Sequence, residues 1–434
     1  MLLRFMWLVL LPAWIYAGEG SIVSPAVFGV RIEFLLFGLT LLGVALFHRH
    51  TLLVAAVGAL TVIGWRLGVS GFPHGDGLYG LALHMGHEWV LLANLFLLLT
   101  GFDLLAHHFS ASRLPAILPR YLPNGRLGAA ALLVLVWVLS GFLDNIAAAM
   151  IGATIAGSVF RGQVHVGYLA AIVAASNAGG AGSVLGDTTT TMIWLAGHSP
   201  LDVVSAYVGA AVALVIIAWF ASGQQTRMQP ISADPSHAGV CIDWGGLSVV
   251  FLILGAAIGT NISLNVWGRS IEPHAPWIGI SVWLVLLAVT PWRGMHRASL
   301  PTAAKGAVFL LCLVLAASLM PVNELPHADM VTTAGLGVVS AAFDNIPLTA
   351  LALKQGGYDW GMLAFAVGFG GSMIWFGSSA GVAVGSQFPQ ARSVGSWLRH
   401  GWYIPIAYGA GLLAMFVLLG WHPDQVVVPA PHGH

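Results

Sequence analysis

Two aspartates stand in the middle of apolar runs. Asp144 lies in SGFLDNI (Ser140 to Ile146), preceded by LGAAALLVLVWVL and followed by AAAMIGATIAGSVF. Asp344 lies in SAAFDNI (Ser340 to Ile346), so the pattern SxxxDNI occurs twice. A carboxylate exposed to hydrocarbon is so unfavourable that an intramembrane acid marks a functional site by default. An irregular turn cannot face lipid either, because its freed N–H and C=O groups need partners. The runs carrying these motifs must therefore fold around a buried polar centre.

Composition puts that centre in a membrane. Of 434 residues, 58% are hydrophobic and 7% are charged, with a formal net charge of zero. So few charges exclude a soluble globular domain. A net charge of zero implies neither nucleic acid nor an acidic partner. The only lysines are Lys305 and Lys354. Cys241 and Cys312 are too few for a disulfide framework or a metal site and read as structural thiols. No HExxH or P-loop supports an enzyme, and no cofactor is implied. Residues 1–17, MLLRFMWLVLLPAWIYA, combine one arginine, a short apolar stretch and Ala17. They read as a signal peptide, with an extra uncleaved span as the alternative.

Apolar runs long enough to span lie near 28–47, 51–65, 88–106, 201–221, 245–262, 276–291, 306–320 and 401–420. Four more, 128–160, 164–197, 331–354 and 359–387, are interrupted by Asp, Asn, Gly, Ser and Thr. Arg126 and Arg161 flank the first of these, as if it entered and left on one side: a re-entrant hairpin with Asp144-Asn145 at its tip. Run 331–354 is its counterpart, tipped by Asp344-Asn345. Threading the chain yields three spans, a hairpin, a broken span and a span, twice over. Five spanning elements per half force opposite orientations. Arg49, Arg113, Arg120, Arg126, Arg161, Arg227, Arg293, Arg297, Lys305, Arg392 and Arg399 then fall inside. Arg31, Arg66, Arg269 and Lys354 fall outside, in keeping with a positive-inside bias. The expected architecture is an all-α polytopic membrane protein of two inverted repeats, residues 28–221 and 243–421. A cytoplasmic linker, 222–242, joins them and 422–434 is a tail. Such repeats are typical of secondary transporters, with the site at the repeat interface near the midplane.

The broken spans read SNAGGAGSVLGDTTTT (Ser176 to Thr191) and GGSMIWFGSSAG (Gly370 to Gly381). They align through Gly180 with Gly371 and Gly186 with Gly377, which pairs Asp187 with Ser378 and Thr188 with Ser379. Unwound backbone and oxygen-bearing side chains suit small hard cations. The candidate site residues are Ser140, Asp144, Asn145, Ser176, Asn177, Asp187, Thr188, Ser340, Asp344, Asn345, Ser378 and Ser379. Among these, Asp144, Asp187 and Asp344 are the cation-binding carboxylates. Plainer roles compete. Asn145 and Asn345 can cap the half-helices that follow them. Thr190 and Thr191 can bond back to their own helix, and isolated glycines can serve close packing. Glu33 reads as an interfacial partner of Arg31. His84, His87, Glu88, Asp103, His107 and His108 read as solvated span ends or as a proton relay.

The motifs SGFLDNI, SNAGGAGSVLGDTTTTMIW, SAAFDNIPLTA and GFGGSMIWFGSSAGVAV resemble those of the NhaD-type sodium/proton antiporters. These are a branch of the ion transporter superfamily that also holds arsenite permeases and citrate or dicarboxylate carriers. The resemblance spans roughly 28–421. Where the branch commonly has an aromatic after NAGGA and a proline two places on, this chain has Gly182 and Val184. The resemblance implies a homodimer in a bacterial-type inner membrane, with the hairpin tips and broken spans as the ion site. Burial disfavours a carboxylate's charged form, so Na⁺ (or Li⁺) and H⁺ would compete for the same oxygens and exchange. The alternative is an anion carrier for citrate, dicarboxylate or arsenite, drawn to half-helix N-termini and neutral Ser and Asn ligands.

Overall fold

The computed structural model describes residues 26–424 apart from 28–29, 48–49, 73–74, 118–120, 232–240, 268–273 and 323–324. The expected signal peptide, most of the tail and part of the linker lie outside the described residues.

The chain is helical, with one short β-hairpin (Ala26–Val27 and Val30–Arg31) ahead of the first helix. The helices are α1 (Ile32–Leu46), α2 (Thr51–Trp65, extended by a π turn over Arg66–Ser70) and α3 (Gly77–Ala111). Then come α4 (Gly125–Ser140), α5 (Asn145–Val159), α6 (Val166–Gly180), α7 (Thr188–Leu195) and α8 (Ala206–Met228). After them come α9 (Trp244–Trp267), α10 (Trp277–Arg293), α11 (Leu300–Ser318), α12 (Met330–Ser340), α13 (Asn345–Gln355), α14 (Trp360–Gly370), α15 (Ser379–Gln387) and α16 (Tyr403–Leu419), with short helices at Leu114–Ile117, Pro200–Val204 and Val394–His400 between the longer ones. Four stretches, Thr51–Ser70, Gly77–Phe109, Pro200–Met228 and Leu300–Ser318, are long and apolar enough to cross a membrane unaided. A fifth forms if α16 is joined across a 59° bend to the short helix Val394–His400. The protein is a multi-pass, all-helical membrane protein.

All four interrupted runs break where the sequence places the polar residues, and each break leaves a helix N-terminus inside the protein. Asp144 caps α5 through Ile146 N at 3.2 Å, and Asp344 caps α13 through Ile346 N at 3.3 Å. Asp187 caps α7 through Thr189 N at 3.4 Å, and Ser378 caps α15 through Gly381 N at 3.3 Å. These caps satisfy N–H groups that no intrahelical carbonyl reaches. The helices entering the broken spans, α6 and α14, are buried along almost their whole length and form the middle of the molecule.

The halves match at contact level. Ser140 Oγ donates to Ser176 O at 2.6 Å, and Ser340 Oγ to Val367 O at 2.7 Å. Trp137 O faces Gly179 Cα as Gly337 O faces Gly370 Cα, and no Cβ fits at either glycine. Gly186 and Gly377 lie against the carbonyls of Ser140 and Ala341. The contacts of the α4–α5 break with the α6–α7 break thus resemble those of the α12–α13 break with the α14–α15 break, and the glycines allow the backbones to touch.

One boundary differs from the sequence reading. α8 runs to Met228, into the segment expected to be linker. Tertiary partners absorb its polar residues: Gln225 Nε2 donates to Gln163 O at 2.9 Å, and Gln224 Nε2 to His400 O at 3.0 Å.

Candidate functional site

The breaks in both halves meet at Asp187. Its Oδ1 accepts from Asn345 Nδ2 at 3.1 Å and from Asn145 Nδ2 at 3.3 Å, and its Oδ2 accepts from Asn345 Nδ2 at 3.2 Å. Asn145 Nδ2 also donates to Asn177 Oδ1 at 3.1 Å. Asn177 in turn donates to Ser372 Oγ at 2.9 Å and to Ser378 Oγ at 3.2 Å. Asn145, Asn177, Asp187, Asn345, Ser372 and Ser378 are all buried. Four chain breaks, two from each half, thus share one hydrogen-bonded network around one carboxylate.

The acids that cap α5 and α13 are divided between two cavities. Asp144 lines a cavity of about 280 Å³ together with Asp103, Asn145, Asp187, Thr188 and Asn345. Asp344 lines a smaller one of about 180 Å³ with Thr51 and a largely apolar wall. Ser379 borders both, and its Oγ donates to Asp344 Oδ2 at 2.8 Å. Among the described residues no group of three His, Cys, Asp or Glu side chains is close enough to hold a metal ion together. The three aspartates therefore do not converge on a single point; the site has a centre at Asp187 and two flanks. Among the described residues, no lysine or arginine bonds to any of the three, and none lines either cavity.

Several expected roles change once partners are known. Ser140, Ser176 and Ser340 all donate their hydroxyls to backbone carbonyls: Ser140 and Ser340 join helices, and Ser176 bonds back to Val173 O of its own helix at 2.9 Å. Asn145 and Asn345 do not cap α5 and α13; the preceding aspartates do, which frees both amides for Asp187. Thr190 and Thr191 bond back to Asp187 O at 2.8 and 3.0 Å and also reach Ser183 O and Val184 O, so they staple the break. Glu33 is not an interfacial group: it is fully buried with neither oxygen hydrogen-bonded, because α1 turns that face inward. Ser372 escaped notice although it lies in the glycine-rich break, because its alignment partner is the apolar Ala181. Asp103, for which the sequence leaves a solvated span end or a proton relay open, lines the larger cavity. His107 stacks on His296 with ring centroids 3.7 Å apart.

No protein-family model matches the chain. It is 27% identical to sodium/proton antiporter 2 of Arabidopsis thaliana over 57% of this chain and 68% of that protein. It is 26% identical to sodium/proton antiporter 1 of the same plant, over 56% of this chain and 48% of that protein. Against the Na⁺/H⁺ antiporter NhaD of Vibrio parahaemolyticus it is 25% identical over 58% of this chain and 71% of that one. The chain is a relative of the NhaD-type antiporters. It departs from the NhaD-type pattern at Gly182, and there Tyr207 fills the space: a Cβ at 182 would lie 2.5 Å from Tyr207 Cδ2. The Tyr207 ring of α8 thus covers the break at Gly182. That ring packs edge-on against Trp137, centroids 5.4 Å apart.

Proposed function

We propose that this protein exchanges Na⁺ or Li⁺ for H⁺ across the membrane through competition at Asp187, flanked by Asp144 and Asp344. One observation carries the reading: among the described residues, acids line the cavities and bases do not. Half-helix N-termini attract anions, yet three of the four that meet here are already capped by aspartates. A polyanionic substrate would meet repulsion where a citrate-type carrier needs attraction. A cation meets carboxylate and neutral oxygens together, and a proton can replace it on the same atoms. Asn145, Asn177, Asn345, Ser378 and Ser379 act as neutral ligands or set geometry. Thr188 borders the same space.

The matched joints of the two halves support two repeats, which the proposal takes as inverted so that the site can open to either side in turn. A homodimer in a bacterial-type plasma membrane completes the reading. The test uses everted vesicles with an acidic interior and a pH dye. Adding Na⁺ or Li⁺ should release internal protons, and Asp187→Asn should abolish the release while leaving the protein folded, since asparagine caps a helix as well as aspartate. Silence towards both cations together with uptake of labelled citrate would replace this reading with the anion carrier.

A further inference from the structure

A second buried polar cluster lies at the opposite end of α13 from Asp187. Asn345 begins this helix and Lys354 stands nine residues on, about 14 Å away along the axis. Lys354 Nζ donates to Met320 O at 2.7 Å and also to Ser318 O. Arg66, in the π turn after α2, donates through Nε to Leu319 O at 3.0 Å, through Nη2 to the same oxygen, and through Nη1 to Gly71 O at 3.1 Å. Two cations from different elements thus hold one helix terminus, the C-terminal end of α11, where carbonyls lack helical partners and the helix dipole is negative. His84 Nε2 lies 2.9 Å from Ser318 Oγ at the same terminus. Glu88 on α3 acts on Lys354 through space, and the buried Glu33 on α1 acts on Arg66, neither within ion-pair distance. Lys354 and Arg66 are two of the four cations that the threading leaves on the sparsely charged side. Neither is a free surface charge.

We propose that Lys354 is a positioning residue for the ion site. It ties the end of α13 to an α11 terminus that Arg66 grips from the other side, and so sets where Asn345 meets Asp187. The helix is short, so a shift at one end is passed to the other. The consequence for ion affinity rests on the transport reading above; the geometry does not.

The test compares Lys354→Met, Lys354→Arg and, as control, Lys305→Met at the other, exposed lysine, each as the full chain in proteoliposomes. Loss of charge-assisted hydrogen bonds to two carbonyls should raise the half-saturating Na⁺ concentration of Lys354→Met about tenfold. Maximal turnover should change little, and the pH–activity profile should move. Lys354→Arg should restore affinity, and Lys305→Met should behave as wild type. Hydrogen exchange over 345–355 should speed up in Lys354→Met. A folded Lys354→Met protein with wild-type affinity, pH profile and exchange overturns the proposal. If Lys354→Met does not insert, Glu88→Gln weakens the field on Lys354 and keeps its hydrogen bonds; a smaller affinity loss in the same direction supports the proposal, and no loss overturns it. Glu33, Arg66 and His84 stay in place in Lys354→Met, whereas Glu88 loses the field of Lys354, so the profile is also taken in Lys354→Met/Glu88→Gln, where a move that persists reports the site and one that vanishes reports Glu88 and counts against the proposal. A wild-type protein that carries no Na⁺ sinks the transport reading alone. Exchange then decides: faster over 345–355 supports the tie, unchanged overturns it.

Discussion

Asn345→Ala separates this site from a merely duplicated motif. In sequence the two DNI tips are equivalent, so their asparagines should matter equally. In the structure both face Asp187, but unequally. Asn345 donates to both carboxylate oxygens, at 3.1 and 3.2 Å, whereas Asn145 reaches one oxygen at 3.3 Å and divides its amide with Asn177. A hydrogen bond to a charged group is worth about 1.5–3 kcal/mol, and removing it from a buried carboxylate leaves that group undersolvated. Taking about 2 kcal/mol for Asn345, the half-saturating Na⁺ concentration should rise about thirtyfold. The rise should be steepest at low pH, where protons already compete. Asn145→Ala should raise it by less than about tenfold. The assay is Na⁺-dependent dequenching in everted vesicles at several pH values, with folding checked by size exclusion. Equal effects at the two positions, a larger effect at Asn145, or an unchanged Na⁺ requirement in Asn345→Ala would refute the view that Asp187 is the centre.

Gly186→Ala would drive a Cβ into the Ser140 carbonyl and to 2.8 Å from Gly180 Cα, and backbone cannot yield as a side chain can. It should destabilise by about 3 kcal/mol, with Gly377→Ala, its mate against Ala341 O, behaving alike in a detergent melt. Gly182→Ala should lower the melting temperature by crowding Tyr207, and in the double variant Gly182→Ala/Tyr207→Ala the two losses should add to less than their sum. At the loop before α6, burial and then the neighbouring His400 hold His165 below the usual imidazole value, and its neutral Nδ1 accepts from Gly167 N at 3.1 Å. The unfolded chain therefore takes up a proton below about pH 6.5 that the folded chain resists. Stability present above that pH should be lost as the pH falls through the lower folded value. His165→Asn, which keeps an acceptor for the cap, should flatten that fall in melting temperature.

The apolar runs and their four breaks were legible in the sequence because lipid imposes a simple local rule: backbone polar groups must be paired within a segment or hidden. Where glycine, serine and aspartate interrupt such a run, a break follows, and α4–α5, α6–α7, α12–α13 and α14–α15 all break there. The chemistry of the site was legible for the same reason, since an acid without a local counter-charge stands out in an apolar stretch. Which acid sits at the centre was not. Asp144 and Asp344 carry the repeated motif, yet Asp187, with serine as its counterpart, gathers the amides of both tips. Nothing in the local pattern singles out Ser372 or ties Lys354 to the end of another helix, and the matched serines Ser140 and Ser340 read as ligands although their hydroxyls bond backbone. Local pattern records how poorly a residue fits its neighbours in the chain. Hydrogen-bond partners two hundred residues apart are chosen by packing, and only the tertiary structure decides them.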